Sequence, residues 1–289
     1  MARLKSVRKR KDGKFIIEKV YDTWDTVIVL KDFIDDYVYE IRNGNVRNDS
    51  IEMYKTIIKN EIELPKEEYN EVVDRLVSRI TITVEETVFN LEELKEFIKY
   101  TMLIDDDVKK IIKNRLRKVI MKEGIKIQNA NTVDKLFYMV DIIEIDKNDI
   151  INLINWAEEI KYCSLENKKG IIKRLAEYGY EQKAKELAEK SVKSILVDFR
   201  YSLNDYIRIG RGYIIDRTIM LSEFIYEIMQ LGFDDINKEL KQFLDEIWLQ
   251  KGDKIINMFK RRENKEKHEK ALRLIYKLFP KKELLQFVI

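Results

Sequence analysis

Seven of the first fourteen residues are cations, namely Arg3, Lys5, Arg8, Lys9, Arg10, Lys11 and Lys14, and Asp12 is the only acid among them. Charge at that density attracts a polyanion, and the chemistry it offers is neutralisation of the phosphates of DNA or RNA. A second group interleaves Arg200, Tyr201, Tyr206, Arg208, Arg211, Tyr213 and Arg217 around Gly210 and Gly212. Guanidinium groups bind phosphate in a planar fork and tyrosine faces stack on unpaired bases, so Arg208 and Arg211 are candidate nucleic-acid contacts. The competing reading is an ordinary inter-helix loop whose tyrosines are core. A third group, Lys109, Lys110, Lys113, Arg117, Lys118 and Lys122, shares one side of a helical run opposite Val108, Ile111, Ile112, Leu116, Val119 and Ile120. Such a stripe either tracks a phosphate backbone or pairs with acids on neighbouring helices, and the second is the expectation.

Residues for covalent or acid–base chemistry are scarce. The chain has one histidine, His268, and one cysteine, Cys163. That removes most general bases, thiol nucleophiles and transition-metal ligands. His268 stands in a charged stretch and is expected at the surface. Cys163 has only Lys161 nearby to favour a thiolate and is expected to act as a small hydrophobe. Asp141, Glu144, Asp146, Asn148 and Asp149 are of the type that gathers Mg²⁺, but the loop lacks the glycine and terminal glutamate of an EF-hand. Asp146 or Asn148 reads better as a helix cap. Gly210-Arg211-Gly212 has the spacing of neither a phosphate-binding Walker loop nor a dinucleotide fingerprint. The expectation is a protein without catalytic residues, metal or cofactor.

These groups must be positioned mostly by helices, since only Pro65 and Pro280 interrupt the chain. Residues 2–11 and 14–21 read as two β-prone runs around an Asp12-Gly13 turn. Asp22 or Asp25 can cap a helix carrying Val27, Leu30, Ile34, Tyr37, Val38 and Ile41, with strands over 26–33 and 37–41 as the alternative. Asp49 or Ser50 starts another helix, and Pro65 suits the first turn of the next, whose stripe is Tyr69, Val72, Val73, Leu76 and Val77. Residues 79–89 alternate Ile80, Ile82 and Val84 with Thr81 and Thr83, which suggests a short strand or extended link. Asn90 caps a helix over 91–103, and Asp105, Asp106 and Asp107 open one that ends near Gly124. Further helices are expected over about 132–143, 147–162, 165–178, 181–199, 214–231, 234–250, 254–262 and 266–279. Trp156 and Trp248 fall on apolar stripes and read as core.

Two junctions share a pattern. Gly179-Tyr180-Glu181, followed by Lys185-Glu186-Leu187, matches Gly232-Phe233-Asp234, followed by Lys238-Glu239-Leu240. Glycine permits the left-handed cap, the aromatic packs across the turn, and the acid favours the next helix start. The first junction, with Ala176 and Ala184, resembles the helix–turn–helix of tetratricopeptide-type repeats over about one hairpin. That resemblance implies antiparallel helical hairpins; the second copy, with Gln230 and Asn237, lacks the small residues.

The fold expected is mainly α, an irregular array of antiparallel helical hairpins with a small basic N-terminal β-hairpin. It divides into residues 1–47, 48–130 and 131–289, the last break at Gln128-Asn129-Ala130-Asn131. No apolar run reaches a membrane span and the basic start is not followed by an apolar stretch, so neither membrane nor secretion is expected. With one cysteine, the cytoplasm is the expected compartment. The abundance of Lys, Glu and Ile with few Gln, Cys and His resembles the composition of hyperthermophile proteins. At a net charge of +3 any nucleic-acid affinity must come from clustering of charge. The function expected is non-enzymatic binding to the DNA or RNA backbone by the hairpin, with the helical body as scaffold. A helical adaptor for a protein partner is the alternative, and a Mg²⁺-dependent nuclease a more remote one.

Overall fold

The computed structural model describes residues 7–9, 15–17, 66–101, 106–262 and 266–287, and these are mainly helical. Strands β1 (Val7–Lys9) and β2 (Phe15–Ile17) pair antiparallel, with Arg8 opposite Ile16. Arg3, Lys5, Arg10, Lys11 and Lys14 lie outside the described residues, as do the elements expected over 22–58 and the division near residue 47. The chain forms two compact units that divide between Asn155 and Trp156.

The helices of unit 1 are α1 (Lys66–Glu85), α2 (Leu91–Thr101), α3 (Asp106–Glu123), α4 (Ala130–Ile143) and α5 (Lys147–Leu153). Helix α1 packs against α2, α3 and α4. Its buried Val73, Leu76, Val77, Ile80 and Val84 recur at helical spacing and form one wall of the core. Leu94, Phe97 and Ile98 of α2, Ile112, Leu116 and Ile120 of α3, and Leu136, Phe137, Met139, Val140 and Ile143 of α4 fill the rest. The break expected near residue 130 therefore falls inside this unit, because the apolar face of α4 is covered by the helices before it.

The extended link expected over 79–89 is instead the last two turns of α1 and a short turn. Thr81 and Thr83 turn their hydroxyls back to the carbonyls of Val77 (3.0 Å) and Arg79 (2.8 Å), so β-branching is accommodated within the helix. Asn90 caps α2 in a reciprocal pair, Glu93 N–H to Asn90 Oδ1 at 2.9 Å and Asn90 N–H to Glu93 Oε2 at 2.6 Å. Asn129 and Thr132 form the same device on α4. Between α3 and α4 the chain has no regular secondary structure, and Ile125 and Ile127 are buried.

Unit 2 contains α6 (Trp156–Glu159), α7 (Leu165–Glu177), α8 (Glu181–Arg208), α9 (Tyr213–Gln230), α10 (Asp234–Arg262), α11 (Glu266–Leu278) and α12 (Lys282–Leu285). Helix α9 packs on α7, α8 and α11, and α8 also packs on α7 and α10. The α7–α8 junction closes as an antiparallel hairpin through the Gly179 cap (φ 85°): Tyr180 N–H reaches Leu175 O and Gly179 N–H reaches Ala176 O, both at 2.9 Å. At the second junction Gly232 (φ 77°) takes the same backbone conformation, and the Asn237 amide donates to Met229 O at 3.1 Å.

Helix lengths differ from expectation at three places. Residues 147–162 are not one helix, since α5 stops at Leu153 and Ile154 is extended before α6 begins the second unit. Helix α8 runs on past Phe199 to Arg208, and α10 is continuous through Gly252. A Cβ at Gly252 would stand 3.2 Å from the Trp248 ring, so this glycine gives room to a side chain one turn earlier rather than ending the helix. Trp156 is buried as expected, whereas Trp248 is half-buried, against Phe279 (6.0 Å between ring centres) and beneath Lys281.

Candidate functional site

On α3 the basic stripe is partly consumed by the fold. Arg117 Nη2 donates to the carbonyls of Ile143 (2.6 Å) and Glu144 (3.2 Å), capping the C-terminus of α4. Lys113 bonds the Glu144 carboxylate, a residue in the left-handed conformation (φ 56°). That hydrogen bond, with the charges of Lys113, Lys109 and Arg117, holds the Glu144 carboxyl below the usual carboxylate range. Lys109, Lys110 and Asn114 line the same open depression, of ≈ 360 Å³, together with Asp106 and Glu144. Of this stripe, Lys113 is thus paired with an acid and Arg117 with backbone carbonyls, and two carboxylates stand in the lining beside the cations.

The acidic residues after Asp141 do not converge either. Asp141 pairs with Lys147 (2.9 Å), and Asp146 caps α5 by accepting from Asn148 N–H at 2.7 Å. Among the described residues no group of three or more His, Cys, Asp or Glu is placed to hold a metal ion. Cys163 is half-buried with its thiol directed at Glu159 O (3.6 Å), and burial raises its pKa against the pull of Lys168. A raised thiol pKa leaves little thiolate at neutral pH. Substituting Cys163→Ser should therefore change stability by no more than about 1–2 kcal/mol and abolish no function. Thermal denaturation checks the first; a larger loss would mean the thiol packs more tightly than its half-exposure indicates.

The arginine–tyrosine group of α8 and α9 separates into two populations. Tyr206 is fully buried, while Tyr201 and Tyr213 are 66% and 74% exposed. The core reading of the tyrosines thus holds for Tyr206 and fails for the other two. Arg200 lies over the Phe243 ring (5.1 Å) and near Glu246 (3.8 Å), and Arg217 pairs with Asp198 (3.3 Å). Arg211 is exposed in the turn between α8 and α9.

The C-terminal turn of α8 is built around a buried cation that sequence reasoning missed. Arg262, at the end of α10, stacks on the Tyr206 ring (4.4 Å) and donates to Tyr206 O. The α8 carbonyls and the ring face supply the negative potential that a buried guanidinium requires. Gly210 (φ 55°) lies directly over that guanidinium, where any Cβ would collide with it. The Tyr206 hydroxyl meets His268 Nδ1 at 3.0 Å, so the single histidine is half-buried against this cluster rather than exposed in its charged stretch. Burial pushes the Tyr206 phenol up to about 12, with Arg262 opposing.

Outside this cluster lies a depression of ≈ 610 Å³ between α8 and α10, lined by Asn204, Ile207, Arg208, Lys251, Lys254, Asn257 and Arg261. Four of those seven residues are cations and none is an acid. Two of the cations are held by neutral acceptors: Lys251 donates to Asn204 Oδ1, and Arg261 Nη2 to Ile207 O at 3.2 Å. Arg208 pairs weakly with Asp205 (3.3 Å), which is not part of the lining. The Lys251 ammonium has a lowered pKa, first from burial and then from repulsion by Arg200 and Lys254. Positive charge is therefore concentrated in the lining, with the Asp205 carboxylate outside it as the partner of Arg208, and such concentration favours an anion. Of the predicted contacts, Arg208 is in this lining and Arg211 is in the adjoining turn; Lys251, Lys254 and Arg261, about 50 residues downstream, were not foreseen. No helix among the described residues is long and apolar enough to cross a membrane. No protein-family profile, curated protein or solved structure matches this chain.

Proposed function

We propose that this is a non-enzymatic nucleic-acid-binding protein of the cytoplasm, in which cations contact the phosphate backbone and the helical units act as scaffold. The observation that carries the reading is the depression between α8 and α10, where four cations meet without a lining carboxylate. The basic residues Arg3, Lys5, Arg8, Lys9, Arg10, Lys11 and Lys14 extend the same chemistry, on the N-terminal β-hairpin expected from the sequence. Phosphate contacts of this kind carry little base information, so binding should show little sequence preference.

Each phosphate neutralised releases counterions, and the affinity must fall with salt accordingly. With five to seven phosphates contacted, log affinity against log salt should have a slope of roughly −4 to −6, read by fluorescence anisotropy across a salt series. Deleting residues 1–11 should weaken binding and make the slope shallower, with the melting temperature of the helical units nearly unchanged. Absence of binding to DNA and RNA at low salt would overturn the proposal in favour of an adaptor for a protein partner.

A further inference from the structure

We propose that the depression between α8 and α10 binds one unpaired strand of nucleic acid, with Tyr201 at its edge as a stacking platform for a base. The inference rests on the nucleic-acid reading above and specifies its ligand. The cations Arg208, Lys251, Lys254 and Arg261 face one concave volume of ≈ 610 Å³. That volume falls within the range of clefts that enclose small ligands, and it suits one or two nucleotides. A duplex is read by an element that projects into a groove about 12 Å wide, the converse of a hollow.

An exposed aromatic stands on the same helix as the lining of the hollow. Tyr201, Asn204 and Arg208 follow one another at i, i+3 and i+7 on α8 and so share one stripe of the helix. Tyr201 lies about 10 Å along the axis from Arg208. Tyr201 is 66% exposed, and Val197, one turn earlier on the same stripe, is also exposed. A large exposed aromatic beside a hollow lined by cations and no acid is the combination that grips single strands, since every base has a face that can stack. Polar specificity is also at hand. Asn204 Oδ1 is occupied by Lys251, which leaves the amide N–H₂ to donate, and Asn257 supplies a second amide in the lining.

The test uses the full chain with a labelled ten-nucleotide oligothymidylate and a duplex of equal length, at fixed low salt. The single strand should bind at least about fivefold more tightly than the duplex, the low end of the value of one stacked base. Tyr201→Ala should lower single-strand affinity by a similar factor or more, and Tyr201→Phe should restore it. Lys254→Glu should weaken binding and reduce the salt slope by about one, the loss of one phosphate contact. Lys122→Glu, an exposed residue on α3 of unit 1 with the same change in net charge, should alter affinity less than about twofold. Because these side chains are exposed, melting temperatures should match the parent. Equal binding of duplex, or equal effects of Lys254→Glu and Lys122→Glu, would overturn this inference while leaving nucleic-acid binding elsewhere on the chain intact. Binding of neither strand nor duplex would remove both.

Discussion

Replacing Arg262 by alanine is expected to destabilise unit 2 by roughly 3 kcal/mol, because three interactions are lost at one buried position. The guanidinium stacks on Tyr206, donates to the carbonyl that ends α8, and fills the space under Gly210. Without it the Tyr206 carbonyl loses its donor in a buried place and a cavity opens beside the ring. Relief from burying a charge offsets part of this, which is why the figure is not larger. Arg262→Lys should recover only part of the loss, since an ammonium lacks the planar stacking face. Gly210→Ala approaches the same contact from the other side: its φ of 55° and its direct approach to Arg262 both forbid a Cβ. It should cost about 2–4 kcal/mol. Urea unfolding followed by tryptophan fluorescence of a Trp24→Phe background is the suitable measurement, since the other two tryptophans, Trp156 and Trp248, lie in unit 2. A change below about 1 kcal/mol for Arg262→Ala would mean that the cluster is incidental to the fold.

A second buried cation should dominate the stability of unit 1. Lys135 of α4 is fully buried, and its ammonium donates to Thr83 O (2.7 Å) and Glu86 O, closing the C-terminus of α1. Lys135→Met preserves the length of the side chain but strands those two carbonyls, so a loss of about 2–4 kcal/mol is expected. Burial lowers the Lys135 pKa to about 8, against the attraction of Glu86 and Glu93. Below pH 8 the folded and unfolded chains both hold this proton. Between pH 8 and about 10.5 the unfolded chain holds it while the folded chain releases it, so the contribution of Lys135 to stability rises with pH in that window. The gap between parent and Lys135→Met should accordingly widen there, by up to about 3 kcal/mol. Circular-dichroism melts of both proteins at pH 7 and pH 10 decide the matter. A gap that narrows with pH would show that the native state holds the proton more tightly than the unfolded chain does.

The helices and many of their ends were legible in the sequence because their causes are local. Apolar residues at helical spacing predicted where α1 and α3 bury a face. Asn90 advertised a cap three residues ahead of the amide it accepts from, and Gly179 and Gly232 marked turns that need positive φ. The overturned expectations each involve a preference that long-range packing outweighed. Thr81 and Thr83 read as strand until their hydroxyls had α1 carbonyls to bond. Residues 234–250 and 254–262 read as two helices, yet α10 is continuous through Gly252, which gives room to Trp248. The chain from 147 to 162 read as one helix, although α5 and Trp156 bury their apolar faces in different units.

The candidate site divides in the same way. Charge density and the arginine–tyrosine spacing pointed to the end of α8, and Arg208 and Tyr201 were visible as chemistry before any fold was known. That Tyr206 is core while Tyr201 and Tyr213 are exposed follows only from which side of each helix its neighbours cover. That His268 meets Tyr206, that Arg262 underlies Gly210, and that Lys251, Lys254 and Arg261 face Asn204 and Arg208 required α8 and α10 to lie side by side. Local sequence determined the helices and the kinds of charge they carry. Tertiary packing decided which cations are consumed as caps and pairs and which are left facing a hollow with no acid in its lining, because desolvation and pairing depend on partners some fifty residues away.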